Sequence, residues 1–136
     1  MKIIAPSMLS CNFGKLKEEI EMVNQSEAGW FHLDIMDGVF VPNITFGTPI
    51  LEVLKEYATK HLDAHLMIVN PENYIEKFAS LGANTITVHY EACNNLLKTI
   101  NQIKKLNVKA GVAINPDTDV SVLDSLVNEI DLICLM

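Results

Sequence analysis

Short apolar runs rich in β-branched residues alternate with amphipathic stretches along this whole chain, and that alternation constrains its fold more than any other feature. The apolar runs fall at residues 3–6, 30–36, 62–68, 85–89, 109–114 and 132–136, and the amphipathic stretches at 13–25, 49–59, 71–81, 94–106 and 120–128. Strand starts recur about every 22–32 residues, the length of one βα unit. Strict βαβα order implies a parallel sheet covered by helices. Local punctuation agrees. Asn70-Pro71 offers an N-cap followed by a first-turn proline, and Asp117-Thr118-Asp119 precedes the fifth helix. Gly29 and Gly82 follow the first and third helices at C-cap distance. No linker or low-complexity segment interrupts the series, so residues 1–136 read as one domain.

The second strand carries chemistry. In His32-Leu33-Asp34-Ile35-Met36 the side chains alternate, so His32, Asp34 and Met36 share one face. Burying an ionised carboxylate is costly unless it is paired or bound to a metal. The third strand repeats the spacing with His65 and Met67. A histidine taken alone is more often a hydrogen-bonded core residue. Three groups in this alternation are better explained as His32, Asp34 and His65 converging on one cation. Two imidazoles and a carboxylate suit Zn(II), Fe(II), Mn(II) or Co(II) better than Ca(II) or Mg(II). Ser7, Asp34, Met36, His65 and Met67 all fall at or near strand C-terminal ends, where parallel α/β folds keep their sites. His89, at the end of the fourth strand, is expected to be a satisfied core histidine. Asp37 lies off the alternating face and is expected to fix the loop that follows it.

Composition narrows the function. Of 136 residues, 49% are hydrophobic and 20% charged, which suits a globular domain with a real core. The net charge of −7 argues against a nucleic-acid partner, which would need clustered Lys and Arg. A small phosphorylated ligand needs few charges and stays open. No apolar run reaches the roughly 18 residues of a membrane span, so no membrane partner is expected. Cys11, Cys93 and Cys134 are odd in number and widely spaced, and read as the reduced thiols of a cytoplasmic protein. The stretch Pro6-Ser7-Met8-Leu9-Ser10-Cys11 after the first strand holds no dinucleotide fingerprint. That counts against the open, doubly wound sheet as the alternative architecture.

Four segments then carry a family resemblance: Ala5-Pro6-Ser7-Met8-Leu9-Ser10, the run from His32 to Gly47, Asp63-Ala64-His65-Leu66-Met67-Ile68, and Val112-Ala113-Ile114-Asn115-Pro116-Asp117-Thr118. Through them the chain resembles the ribulose-phosphate 3-epimerase family along its whole length. The resemblance implies a TIM (β/α)8 barrel, of which about five and a half βα units are present here. It implies epimerisation of D-ribulose 5-phosphate to D-xylulose 5-phosphate, a step of the pentose phosphate pathway, by metal-assisted proton transfer through an enediolate. It implies one divalent ion held by His32, Asp34 and His65, with Asp34 also the catalytic acid/base. Ser7, His65, Met36, Met67 and Met136 would meet substrate, the methionines as an apolar layer over the enediolate. The segment 39–47 would close over the site. A small phosphorylated ketose substrate, a cytoplasmic location and a homo-oligomer follow from the same resemblance.

Two family features are not among these residues: a second catalytic aspartate in an Asp-Gly-Gly context, and a glycine-rich phosphate-binding segment. The stretch therefore reads as an incomplete barrel domain holding about half a site, and is expected not to epimerise by itself. A hexulose 6-phosphate epimerase and an inactive half-barrel serving as a binding module are the alternatives.

Overall fold

The computed structural model describes residues 2–136. Among them, five strands form one parallel sheet in chain order: β1 (Trp30–Met36), β2 (His61–Met67), β3 (Thr85–His89), β4 (Lys109–Ile114) and β5 (Leu132–Leu135). Helices α1 (Leu16–Gln25), α2 (Thr48–Tyr57), α3 (Ile75–Ser80) and α4 (Leu96–Lys105) alternate with the first four strands. The sheet curls into a half-barrel, the N-terminal part of a TIM barrel of about five βα units.

The two faces of the sheet differ because its strands alternate. Phe31, Leu33 and Ile35 of β1, Leu62, Ala64 and Leu66 of β2, Ile86 and Val88 of β3, and Ala110, Val112 and Ile114 of β4 are all buried on one face. Helix residues meet them at three- and four-residue spacing: Ile20 and Val23, Leu51 and Leu54, Ile75 and Phe78, Leu96, Ile100 and Ile103. This helix-covered layer is the hydrophobic core. Lys60 ties α1 to the start of β2, its ammonium donating to the carbonyls of Val23, Ser26 and Ala28 at 2.8, 2.7 and 2.6 Å. That satisfies carbonyls the helix end leaves open.

The opposite, concave face collects the polar residues. Register pairs His32 with Asp63, Asp34 with His65 and Met36 with Met67 between β1 and β2. It continues His65 to Thr87 and Thr87 to Gly111. Gly111 is there because nothing larger fits. A Cβ at that position would stand 2.2 Å from Thr87 Oγ1 and 3.1 Å from Thr87 Cα.

Four expectations need correction. Residues 3–6 run beside β1, with N–H groups of Trp30 and His32 donating to the carbonyls of Ile4 and Pro6 at 3.3 and 3.0 Å, but they form no strand. The next parallel rung needs a donor at Pro6, whose nitrogen carries no hydrogen. Only the single bridge Ser7–His32 completes. The fifth helix is instead two 3₁₀ turns, Val120–Leu123 and Val127–Glu129. Ser121, Asp124, Ser125 and Asn128 are residue types that favour turns over helix interiors, and the valines add β-branched crowding. Asn70 does not cap with its side chain. It takes a left-handed conformation (φ 49°) before a 3₁₀ turn at Pro71–Asn73. Gly29 is no C-cap, since α1 ends at Gln25 with Ser26 as its cap, and a Cβ at Gly29 would stand 3.0 Å from the side chain of Ile3. Gly82 does fill that role, with φ 92°.

Gly111→Ala is expected to destabilise the chain by about 1–3 kcal/mol through overpacking against Thr87. Chemical denaturation checks this, and an unchanged midpoint would contradict it.

Candidate metal and acid/base site

The site is built around Asp34, in the C-terminal half of β1. Its Oδ2 accepts a hydrogen bond from the Ser7 hydroxyl. Its Oδ1 lies 3.1 Å from His32 Nε2 and 3.3 Å from His65 Nδ1. Its main-chain carbonyl accepts from Thr45 Oγ1 at 2.6 Å, so the loop after β1 returns to the strand it left. The Asp34 side chain retains 16% exposure and His32 21%, while His65 is buried. The carboxylate is therefore reachable from the concave side, yet held on both oxygens.

Ligand atoms of His32, Asp34 and His65 all lie within 4.8 Å of one another. A tetrahedral ion with bonds of about 2.0–2.1 Å sets its ligand atoms roughly 3.3 Å apart. The 3.1 and 3.3 Å separations around Asp34 Oδ1 match that spacing. The donor set of two imidazole nitrogens and a carboxylate oxygen fits a divalent ion of the borderline transition series.

Behind these three stands a second layer that the sequence did not single out. Asp63, buried on β2, accepts from His32 Nδ1 at 2.8 Å on one oxygen and from Thr87 Oγ1 at 3.1 Å on the other. Such a carboxylate orients a ligating histidine and keeps its other nitrogen free. Its parity was the available signal, since residues 63, 65 and 67 alternate onto one face. His89 is satisfied, as expected, but its partner is part of the site: its Nε2 lies 2.9 Å from His65 Nε2. Its Nδ1 lies 3.3 Å from Glu91 Oε2. The ring of Phe40, from the loop after β1, packs 4.7 Å from the ring of His89.

The remaining expected residues are placed unequally. Met36 and Met67 are register partners immediately beyond the Asp34–His65 pair, and Met67 is buried. Met136 is not brought beside them. It sits past β5 at the other edge of the sheet, 52% exposed, its N–H on the carbonyl of Ile114 at 3.2 Å. Ser7 is in the site, with its proton given to Asp34, and its oxygen also caps a 3₁₀ turn through the Leu9 N–H at 3.2 Å. Asp37 does fix the loop backbone. Its carboxylate accepts from Val39, Phe40 and Val69 N–H groups at 2.8, 2.9 and 2.8 Å. The three cysteines are free. Burial, reinforced by Asp63 and Asp34, pushes the Cys134 thiol up, so it stays neutral on the concave side.

Charge follows from this packing. Burial opposes a charged His32, but hydrogen bonds to Asp34 and Asp63 and their attraction outweigh it, lifting the imidazole from 6.5 to about 9. Burial likewise opposes ionisation of Asp34, but His32, His65 and Ser7 outweigh it and hold the carboxyl well below its usual range. The metal-free chain thus keeps an imidazolium clamped between two carboxylates. A raised folded-state pKa contributes stability that is complete below about pH 6.5 and is lost as pH rises through about 9. Asp34 has the opposite sense, contributing above its ordinary value and losing that contribution as pH falls. An NMR titration of His32 in chelator is expected to show a midpoint near 9. Stability to urea should fall between pH 6.5 and 9. A midpoint near 6.5 would contradict this account.

The chain is similar to known proteins over nearly its whole length. The model of the family described as "Ribulose-phosphate 3 epimerase family" matches residues 3–136. A ribulose-phosphate 3-epimerase of Synechocystis is 46% identical over 136 residues, covering 98% of this chain and 59% of the relative. One from Bacillus subtilis is 47% identical over 133 residues, covering 98% of this chain and 61% of the relative. The chloroplastic ribulose-5-phosphate-3-epimerase of Arabidopsis thaliana is 43% identical, with 98% and 48% covered. The chain thus spans about half to three fifths of the length of these curated relatives. It belongs to the ribulose-phosphate 3-epimerase family.

Proposed function

We propose that the protein epimerises carbon 3 of D-ribulose 5-phosphate to D-xylulose 5-phosphate, with His32, Asp34 and His65 holding one divalent ion and Asp34 moving the proton. The convergence of His32 Nε2 and His65 Nδ1 on one oxygen of Asp34 carries this reading. The C3 proton is acidified by the neighbouring C2 ketone, and its loss leaves an enediolate. Zn(II), Fe(II), Mn(II) or Co(II), when bound, supplies Lewis-acid stabilisation of that charge.

The residues of the chain do the rest. Asp34 is ionised across the working pH range, so it can take a proton. Ser7 fixes the rotation of its carboxylate through Oδ2. Asp63 and Thr87 hold His32 in place. Met36 and Met67 supply an apolar layer that keeps water from the enediolate. The loop 39–47 is pinned at its start by Asp37 and at its end by Thr45, and closes over substrate through its exposed tip at Pro42, Asn43 and Ile44.

Inversion needs a second acid facing Asp34. Among the described residues, Asp63 is the other carboxylate of this strand face, and both its oxygens are taken by His32 and Thr87. Residues 1–136 therefore serve as one barrel domain that provides the metal ligands and one of the two proton-transfer groups, and do not epimerise alone. The acidic surface favours a small-molecule substrate over nucleic acid. No described helix is long and apolar enough to cross a membrane. The reading also takes the protein as a cytoplasmic homo-oligomer.

Two outcomes are expected. Metal uptake must strip the proton from His32, so Zn(II) binding to the chain should release a proton and tighten as pH rises toward about 9. Calorimetry in buffers of different ionisation enthalpy reads this, and binding without pH dependence would contradict it. In a protein carrying the second acid, Asp34→Asn should lower kcat by about 10²–10⁴-fold. Full turnover by that variant would remove Asp34 from the mechanism.

A further inference from the structure

We propose that Thr45 is a positioning residue: its hydroxyl takes the place of a neighbouring strand beside the end of β1 and fixes the main chain that carries Asp34. The inference rests on the reading of Asp34 as a metal ligand.

The even-numbered residues of β1 turn their main-chain groups away from β2. On that side the N–H groups of Trp30 and His32 donate to the carbonyls of Ile4 and Pro6 at 3.3 and 3.0 Å. The N-terminal segment then leaves the sheet, making one bridge from Ser7 to His32 and entering a 3₁₀ turn at Met8–Ser10. From Asp34 onward, that side of β1 faces no strand. Polar main-chain groups at such an edge need other partners. Thr45 meets three of them. Its Oγ1 lies 2.6 Å from the carbonyl oxygen of Asp34 and 3.0 Å from the nitrogen of Met36. Its own N–H donates to the carbonyl of Met36 at 3.3 Å. The proton directions admit one solution. The Met36 N–H can only donate and the Asp34 carbonyl can only accept, so the single hydroxyl proton of Thr45 points at Asp34.

The loop is shaped to bring Thr45 there. Gly38 turns the chain back with φ 75°, where a Cβ would stand 2.7 Å from Ile44 Cγ1, and Asp37 and Ile44 form an antiparallel bridge. The two groups that the hydroxyl holds belong to the successive peptide units after the Asp34 Cα. Holding both fixes the direction in which the carboxylate leaves the strand toward His32 and His65. Two substitutions separate this role from packing. Thr45→Val removes the hydroxyl at nearly constant shape, and Thr45→Ser keeps the hydroxyl but loses the methyl group. A side chain that matters through packing is harmed by serine and spared by valine; the positioning role demands the reverse.

The experiment uses the 136-residue chain labelled with ¹³C and ¹⁵N. Metal-free NMR reads the exchange rate of the Met36 amide and the carbonyl carbon shift of Asp34, and Co(II) titration followed by absorption reads the site. Thr45→Val is expected to speed Met36 amide exchange about 10-fold, to move the Asp34 carbonyl carbon upfield, and to weaken Co(II) binding about 10–100-fold. Thr45→Ser should stay close to wild type in all three. A folded Thr45→Val with unchanged exchange or unchanged affinity, or a Thr45→Ser as impaired as Thr45→Val, would overturn the proposal. If Thr45→Val does not fold, the wild-type chain decides. A slowly exchanging Thr45 hydroxyl proton with a cross-peak to the Met36 amide proton supports the role, and a hydroxyl exchanging freely with water overturns it. A wild-type chain that shows those contacts and binds no Co(II) would instead overturn the ligand reading of Asp34, and leave the hold on its main chain standing.

Discussion

Everything distinctive in this structure depends on keeping the carboxylate of Asp34 ionised inside a parallel sheet. A buried charge is tolerated only when its lone pairs are met. Here Ser7 takes one oxygen and two histidines share the other. Each of those partners is itself held from behind, His32 by Asp63 and His65 by His89. Removing any member leaves a neighbour unsatisfied at low dielectric, which is why the network extends over three strands rather than stopping at the ligands.

The backbone makes this network possible through register. In-phase pairing of β1 with β2 sets Asp34 beside His65 and His32 beside Asp63, and a one-residue slip would turn the polar set into the helix-covered core. Gly111 serves the same end from β4. By carrying no side chain it leaves room for Thr87, which holds the second oxygen of Asp63. A substitution three strands away from His32 is thereby coupled to the orientation of that ring.

Much of this was legible in the residues. Period-two alternation in 30–36 places His32, Asp34 and Met36 together, and the structure bears out that face. Apolar periodicity located the four helices to within a few residues. What was not legible has physical causes. The first apolar run could not become a strand because Pro6 lacks a donor, although its residues lie where a strand would. The fifth amphipathic stretch was too rich in Ser, Asp and Val to hold an α-helix and broke into 3₁₀ turns. Asp63 shares its parity with His65, but its partner lies on another strand, and sequence spacing does not report cross-strand pairing. His89 was rightly read as satisfied; that the satisfying group is a candidate ligand depends on the pairing of β2 with β3.

The central claim is that His32, Asp34 and His65 bind one ion together. X-ray absorption spectroscopy of the Zn(II)-loaded chain tests it most directly. The account predicts nitrogen and oxygen ligands only, at about 2.0–2.1 Å, with outer-shell scattering from two imidazoles and none from sulfur. A sulfur neighbour near 2.3 Å, or scattering from fewer than two imidazoles, would contradict it.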